Sequence, residues 1–194
     1  MDFFRLAAPF YDTVMNIVGH GNSLETLAER IDLEAGDKLM DLGGGTGQLI
    51  DFLPEEADIT LVDSSEDMLA RARKKYNNGK VDIVKGRGDD LPQADDEFDY
   101  IVIADALHHF DEINGTIQEL DRVLKPGGEI IILEFNPGSL LTKFISVGES
   151  LFGEPANFYY PEELRSLFSQ KGYSTSIDNL SNSLYILRGL KGNS

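Results

Sequence analysis

The run Asp41-Leu42-Gly43-Gly44-Gly45-Thr46-Gly47 leaves this chain few folds to choose from. It follows a short apolar stretch, Lys38–Leu42, that reads as a strand. It precedes Leu49, Ile50 and Leu53 at helical spacing, with Pro54 to stop the helix. Glycines at such a junction let the backbone bend sharply and approach a ligand without Cβ clashes. Crowding them together costs backbone entropy that a plain turn would not require. Strand, glycine-rich bend and helix together are how open α/β sheets bind ligands beyond the carboxyl ends of their strands.

The rest of the sequence supplies such a sheet. Ile59–Val62 reads as a second strand ending at Asp63, and Ser64 is placed to cap a helix with Met68, Leu69, Ala72 and Tyr76 on one face. Val81–Val84 is a third strand. Tyr100–Ala104, an unbroken apolar run, is a buried parallel strand. Ile113, Ile117, Leu120 and Leu124 sit at helical spacing, Lys125-Pro126-Gly127-Gly128 ends that helix, and Glu129–Phe135 is a fifth strand. Residues 137–158 are less regular, apolar and aromatic. Pro161 opens a helix through Leu164, Leu167 and Phe168, closed at Gly172. Tyr173–Asp178 and Leu184–Arg188 flank the short turn Ser181-Asn182-Ser183 and pair as an antiparallel hairpin. Ahead of the first strand, residues 2–18 form an apolar helical arm, and Ser23 can cap a helix holding Leu24, Leu27, Ala28 and Ile31. Alternating strands and helices predict an α/β fold, a mostly parallel sheet with helices on both faces.

Charge and composition narrow the function. A formal net charge of −17 repels the phosphate backbone, so no nucleic acid is expected as partner. The basic group Arg71, Arg73, Lys74, Lys75 and Lys80 reads as a solvated helix end, where cations favour the helix dipole. The chain has no cysteine, which excludes disulfides, thiolate metal sites and a cysteine nucleophile. No run approaches the roughly 20 apolar residues that span a bilayer, and Met1-Asp2 does not open a signal peptide. A cytoplasmic protein without an integral membrane segment is expected.

The glycine spacing discriminates between ligands. Gly43, Gly45 and Gly47 give G-x-G-x-G, whereas a dinucleotide loop reads G-x-G-x-x-G, and the sixth position here is Gln48. No Gly-Lys-Ser/Thr follows, which excludes a P-loop, and no G-x-S-x-G nucleophile elbow occurs. Asp63 follows the bend by about 20 residues at the end of the next strand, where a carboxylate grips a ribose diol.

These residues resemble a known family. Asp41 to Gly47 is similar to motif I of class I S-adenosylmethionine-dependent methyltransferases. Leu61-Val62-Asp63-Ser64-Ser65-Glu66-Asp67-Met68-Leu69 resembles the next motif, and Phe98 to His109 the fourth-strand motif. Leu120-Asp121-Arg122-Val123-Leu124-Lys125-Pro126-Gly127-Gly128 resembles the entry to the fifth strand. The arm Ala8-Pro9-Phe10-Tyr11-Asp12-Thr13-Val14-Met15-Asn16 is similar to the start of ubiquinone/menaquinone-type C-methyltransferases, a shorter match. The resemblance implies a Rossmann-like seven-stranded sheet, order 3-2-1-4-5-7-6 with strand 7 antiparallel. It implies one methyltransferase domain over 1–194, with an N-terminal helical arm (1–35), a cofactor-binding core (36–135) and a substrate-side segment with the C-terminal hairpin (136–194).

The expected cofactor is S-adenosylmethionine. Asp63 would bind both ribose hydroxyls and Met68 pack on adenine. Asp41, with the backbone at Gly43 and Ala104, would hold the methionine end. Gly44, Gly45, Gly47, Ser64 and Leu107 complete the expected contacts, with Tyr11 of the arm a candidate to close over the cofactor. One departure concerns adenine. Where the family often reads Gly-Asp-Ala-x-x-Leu-Pro, this chain has Gly86-Arg87-Gly88-Asp89-Asp90-Leu91-Pro92, which puts Arg87 at the acid's position. Arginine accepts no hydrogen bond. Either Asp89 takes over, or backbone at Gly88 and stacking hold the base.

Methyl transfer from a sulfonium is an in-line displacement whose leaving group is already activated, so the protein's task is to hold the reactants at attack distance in a dry site. A base is needed only for an acceptor that carries a proton. His108, just beyond the fourth strand, is a candidate base, ahead of His109, the alternative being a histidine that caps or packs at the strand end; His20 reads as a loop residue. Phe135, Phe152, Phe158, Tyr159 and Tyr160 line a substrate pocket or belong to the core. No His/Asp/Glu group shows metal-ligand spacing. A small-molecule acceptor is expected; the alternative is a non-catalytic module of the same fold that binds S-adenosylmethionine or a nucleoside. A dehydrogenase would need the missing dinucleotide loop, and an aminopropyl transferase further acids near Asp105.

Overall fold

The structure, a computed structural model, describes residues 20–77, 79–151 and 157–193. The arm over 2–18, Tyr11 and Phe152 lie outside the described residues. Seven strands form one sheet: β1 (Lys38–Leu42), β2 (Asp58–Asp63), β3 (Val81–Lys85), β4 (Phe98–Ala104), β5 (Leu124–Phe135), β6 (Ser174–Asn179) and β7 (Leu184–Leu190). Their order is β3-β2-β1-β4-β5-β7-β6. The first five run parallel, and β7 runs antiparallel to both β5 and β6. This is the order the motifs imply.

Among the described residues, five α-helices accompany the sheet: α1 (His20–Ala28), α2 (Glu66–Lys75), α3 (Ile113–Val123), α4 (Leu140–Leu151) and α5 (Pro161–Gln170). Side chains alternate across a strand, so β4 feeds two cores. Ile101 and Ile103 join Leu120, Leu124, Leu164 and Phe168 on one face. Val102 joins Leu24, Leu27, Leu61 and Leu69 on the other. These side chains are almost fully buried, and each such burial contributes roughly 1.5–3 kcal/mol.

Several boundaries differ from the sequence reading. The helix expected after the glycine bend is one 3-10 turn, Leu49–Phe52; Pro54, lacking an N–H, leaves it no room to propagate. Ser65, not Ser64, caps α2, its hydroxyl accepting from Met68 N at 3.4 Å. Ser23 lies inside α1 instead of capping it. Lys125-Pro126-Gly127-Gly128 follows the end of α3 as expected, but the chain enters β5 at once, with a register shift opposite Phe98 and Tyr100. Within 137–158 the sequence reading found no helix. Yet Ser139 accepts from Thr142 N at 3.0 Å at the start of α4, a capping signal it passed over. The basic end of α2 is spent on acids: Lys75 meets Asp51 at 2.6 Å, and Lys80 beyond it meets Glu55 at 2.9 Å.

Candidate functional site

A cleft opens at the carboxyl ends of β1, β2 and β4, the crevice where a sheet that reverses its strand order binds ligands. Its floor is the glycine bend. Gly43 N donates to Val62 O at 2.7 Å, which ties the bend to β2. Gly43 has φ +75, and a Cβ there would stand 2.6 Å from Ala106 Cβ; only glycine fits both the turn and the approach of the next wall. A Cβ at Gly44 would stand 2.5 Å from Asp41 Oδ2. The glycines thus keep open the space that Asp41 faces.

Two carboxylates organise this end. Asp63 accepts from Gly45 N at 2.9 Å on one oxygen and from Ser65 N at 2.7 Å on the other. Burial pushes its carboxyl up, and the backbone donors Ser65, Gly45 and Ser64 pull it back. Asp41 is 1% exposed. Its Oδ2 has no hydrogen-bond partner among the described residues. Burial first, and the charge of Asp63 second, push its carboxyl up to about 7. A buried acceptor left without a donor costs about 1–3 kcal/mol, so Asp41 is poised for a cationic partner.

The cleft gathers Asp41, Gly43, Gly44, Gly45, Asp63, Ser64, Met68, Gly88, Asp89 and Ala104. Three expected residues stand off it. Gly47 lies behind the bend, where its carbonyl accepts from Tyr76 Oη at 2.6 Å. Leu107 is fully buried in the core. His108 is 2% exposed. Its Nδ1 donates to Glu134 at 2.9 and 3.0 Å, and its ring stacks on Phe158 with centroids 4.4 Å apart. The neighbouring imidazole, His109, is on the cleft wall. Burial, and then His108, push it down to about 3, so it is neutral at pH 7.

The wall after β4 also brings in Asp105, Ala106, Phe110, Asp111, Glu112 and Thr116, which the sequence reading did not place. Asp105 takes φ +53, a left-handed value uncommon for a non-glycine residue. The motif Phe98 to His109 pointed at this wall, but a motif does not show where it turns. Arg87 settles the loop after β3: its guanidinium clasps both oxygens of Asp89, at 2.9 and 3.1 Å, and reaches Asp111 at 3.4 Å. That clasp holds the Asp89 carboxyl below its ordinary range.

Asp105, His108 and Glu134 bring three potential ligand atoms within 4.8 Å of one another, a grouping that sequence spacing did not reveal. Both Glu134 oxygens are already taken, by His108 Nδ1, His108 N and Phe135 N. Glu134 and His108 therefore act as a hydrogen-bonded anchor between the end of β5 and the turn after β4.

Sheet order and cleft together define a Rossmann-like methyltransferase architecture. A family model described as a methyltransferase domain matches residues 40–132. A ubiquinone/menaquinone biosynthesis C-methyltransferase of Shewanella piezotolerans is 33% identical over 69% of this chain and 57% of its own length. This chain therefore spans less than three fifths of that relative. A demethylmenaquinone methyltransferase of Staphylococcus saprophyticus is 29% identical over 89% of this chain and 87% of its own. Among solved structures, the complex between the Haloferax volcanii Trm112 methyltransferase activator and a methyltransferase superposes with a TM-score of 0.82 at 20% identity, over 99% of both chains. In sheet order, cleft and sequence the chain is similar to the class I S-adenosylmethionine-dependent methyltransferases. Among the described residues, no helix is long and apolar enough to cross a membrane.

Proposed function

We infer that the chain, working as one domain over 1–194, transfers the methyl group of S-adenosylmethionine to a small-molecule acceptor in the cytoplasm. The observation that carries the reading is Asp63, a largely buried carboxylate fixed by two backbone amides at the mouth of the glycine bend. The cofactor, when bound, supplies a methyl group on a sulfonium, activated for displacement.

The chain's residues fit that ligand. Asp63 presents its remaining lone pairs to a vicinal diol. Asp41, whose buried Oδ2 has no donor among the described residues, matches the amino group of the methionine end. Gly44 leaves Asp41 in reach, and Met68, on the cleft wall, offers an apolar face to the base. His109 stands on the wall as a neutral imidazole that burial makes a weak proton acceptor; His108 holds that turn in place from below through Glu134. Ala104 and Ala106 give the transfer end an apolar border.

Affinity for S-adenosylhomocysteine, which keeps the amino acid end, tests Asp41 through pH. The folded carboxyl titrates above its ordinary 3.8, near 7. In the ligand-free protein the group is protonated at low pH, and its contribution to stability is lost as pH rises from 3.8 through about 7. The ligand's ammonium favours the ionised form, so affinity should climb toward pH 7 and level off above it. Titration calorimetry from about pH 5.5 to about pH 8.5 checks this. Asp41→Asn should bind more weakly, flatten the profile and raise the melting temperature at the alkaline end. A wild-type profile already flat below pH 7 would remove Asp41 from the ligand.

A further inference from the structure

We propose that the Thr116 hydroxyl reads the exocyclic amino group of the cofactor's adenine, supplying the acceptor that Arg87 displaced. The proposal rests on the cofactor assignment above and adds a residue on α3 that no motif marks.

Three observations converge on it. First, Thr116 is fully buried in the first turn of α3. Its Oγ1 has no hydrogen-bond partner among the described residues, while its backbone N is satisfied by Glu112 O at 2.9 Å. A buried hydroxyl without a partner costs about 1–3 kcal/mol, and valine would fill the same volume without that cost.

Second, Thr116 borders a recess. It lines the cleft together with Gly88 and Phe110. A Cβ on Gly88 would stand 3.1 Å from the Phe110 ring and 3.1 Å from Thr116 Oγ1. Phe110 and Thr116 thus close against Gly88 with no room for a side chain, and an aromatic ring and a hydroxyl meet at this end of the cleft. A flat base edge entering there meets stacking surface on one side and a polar atom on the other.

Third, the other acceptor nearby is engaged. Both Asp89 oxygens accept from Arg87, and a turn with Asp90 N donating to Arg87 O at 3.1 Å fixes the loop that carries them. The Arg87 clasp thus turns the Asp89 carboxylate toward a cation, whereas the Thr116 hydroxyl offers lone pairs that no described residue uses.

The test compares S-adenosylhomocysteine with its 6-deamino analogue, in which hydrogen replaces the amino group, by titration calorimetry on wild type, T116V and T116S. Wild type should prefer the amino compound. In T116V the affinity for S-adenosylhomocysteine should fall by about 3- to 10-fold and the gap between the two ligands should narrow by a similar factor. The melting temperature of ligand-free T116V should hold or rise, because an unpaired buried hydroxyl is gone. T116S, which keeps the hydroxyl, should keep the gap. Unchanged affinity and an unchanged gap in T116V overturn the proposal, and so does a gap lost equally in T116S. If wild type binds S-adenosylhomocysteine and D63A weakens it, the cofactor reading stands whatever Thr116 does. If wild type binds neither ligand, both fall together.

Discussion

Replacing Asp63 by alanine should weaken S-adenosylhomocysteine binding by about 10- to 100-fold. A hydrogen bond to a charged group contributes about 1.5–3 kcal/mol, and this carboxylate faces two hydroxyls of one ligand. The substitution also releases Gly45 N and Ser65 N, which lie 2.9 and 2.7 Å from its oxygens. The bend and the cap of α2 then lose their common tether, so part of the loss comes from a cleft that is no longer held ready. Asp63→Asn separates the two effects: it preserves shape and one acceptor and should fall between wild type and alanine. Calorimetry on the three proteins is the measurement. An Asp63→Ala affinity within about threefold of wild type would falsify the ribose role.

The second large effect concerns stability. Glu134 is fully buried on β5 and accepts from His108 N, His108 Nδ1 and Phe135 N, the last at 2.7 Å. Removing it strands three buried donors, among them an imidazole that has no water to turn to. Breaking one side of a buried polar pair costs about 3–5 kcal/mol. For a chain of this size, Glu134→Ala should then melt roughly 10 °C lower. Glu134→Gln, which keeps an acceptor oxygen and the volume, should lose less. Thermal melts of the two variants decide it; a drop of under about 2 °C for alanine would mean that the anchor between β5 and the turn after β4 does not hold the wall.

Much of this site was readable from one dimension, because its residues sit in register with elements that local pattern betrays. Asp41 and Asp63 end apolar runs, and the glycines announce a bend. The sheet order followed from motif resemblance, and the terminal hairpin agreed from its short turn alone. What the sequence hid lies in side-chain direction. His108 and His109 are adjacent and chemically alike, yet one turns under the sheet end to meet Glu134 and the other faces the cleft. That choice is made by a partner 26 residues away, and no local pattern encodes it. Thr116 was hidden for a related reason: at helical spacing a threonine reads as an ordinary helix position, and only the absence of a partner sets it apart. The length of α4 was obscured by Pro137 and Gly138, which pointed to a loop just before the Ser139 cap.

The place of β7 has a consequence for biosynthesis. It lies between β5 and β6, and among the described residues β6 pairs with no other strand. As the polypeptide leaves the ribosome, β1 to β5 can already align side by side, and β6 emerges before the strand it pairs with. Only when residues 184–190 follow does the gap close, with Tyr185 and Leu187 entering one core and Ile186 the other. The strand made after β6 is therefore an interior plank, and until it slides in, a nascent chain exposes the apolar flank of β5 to whatever holds it at the tunnel mouth.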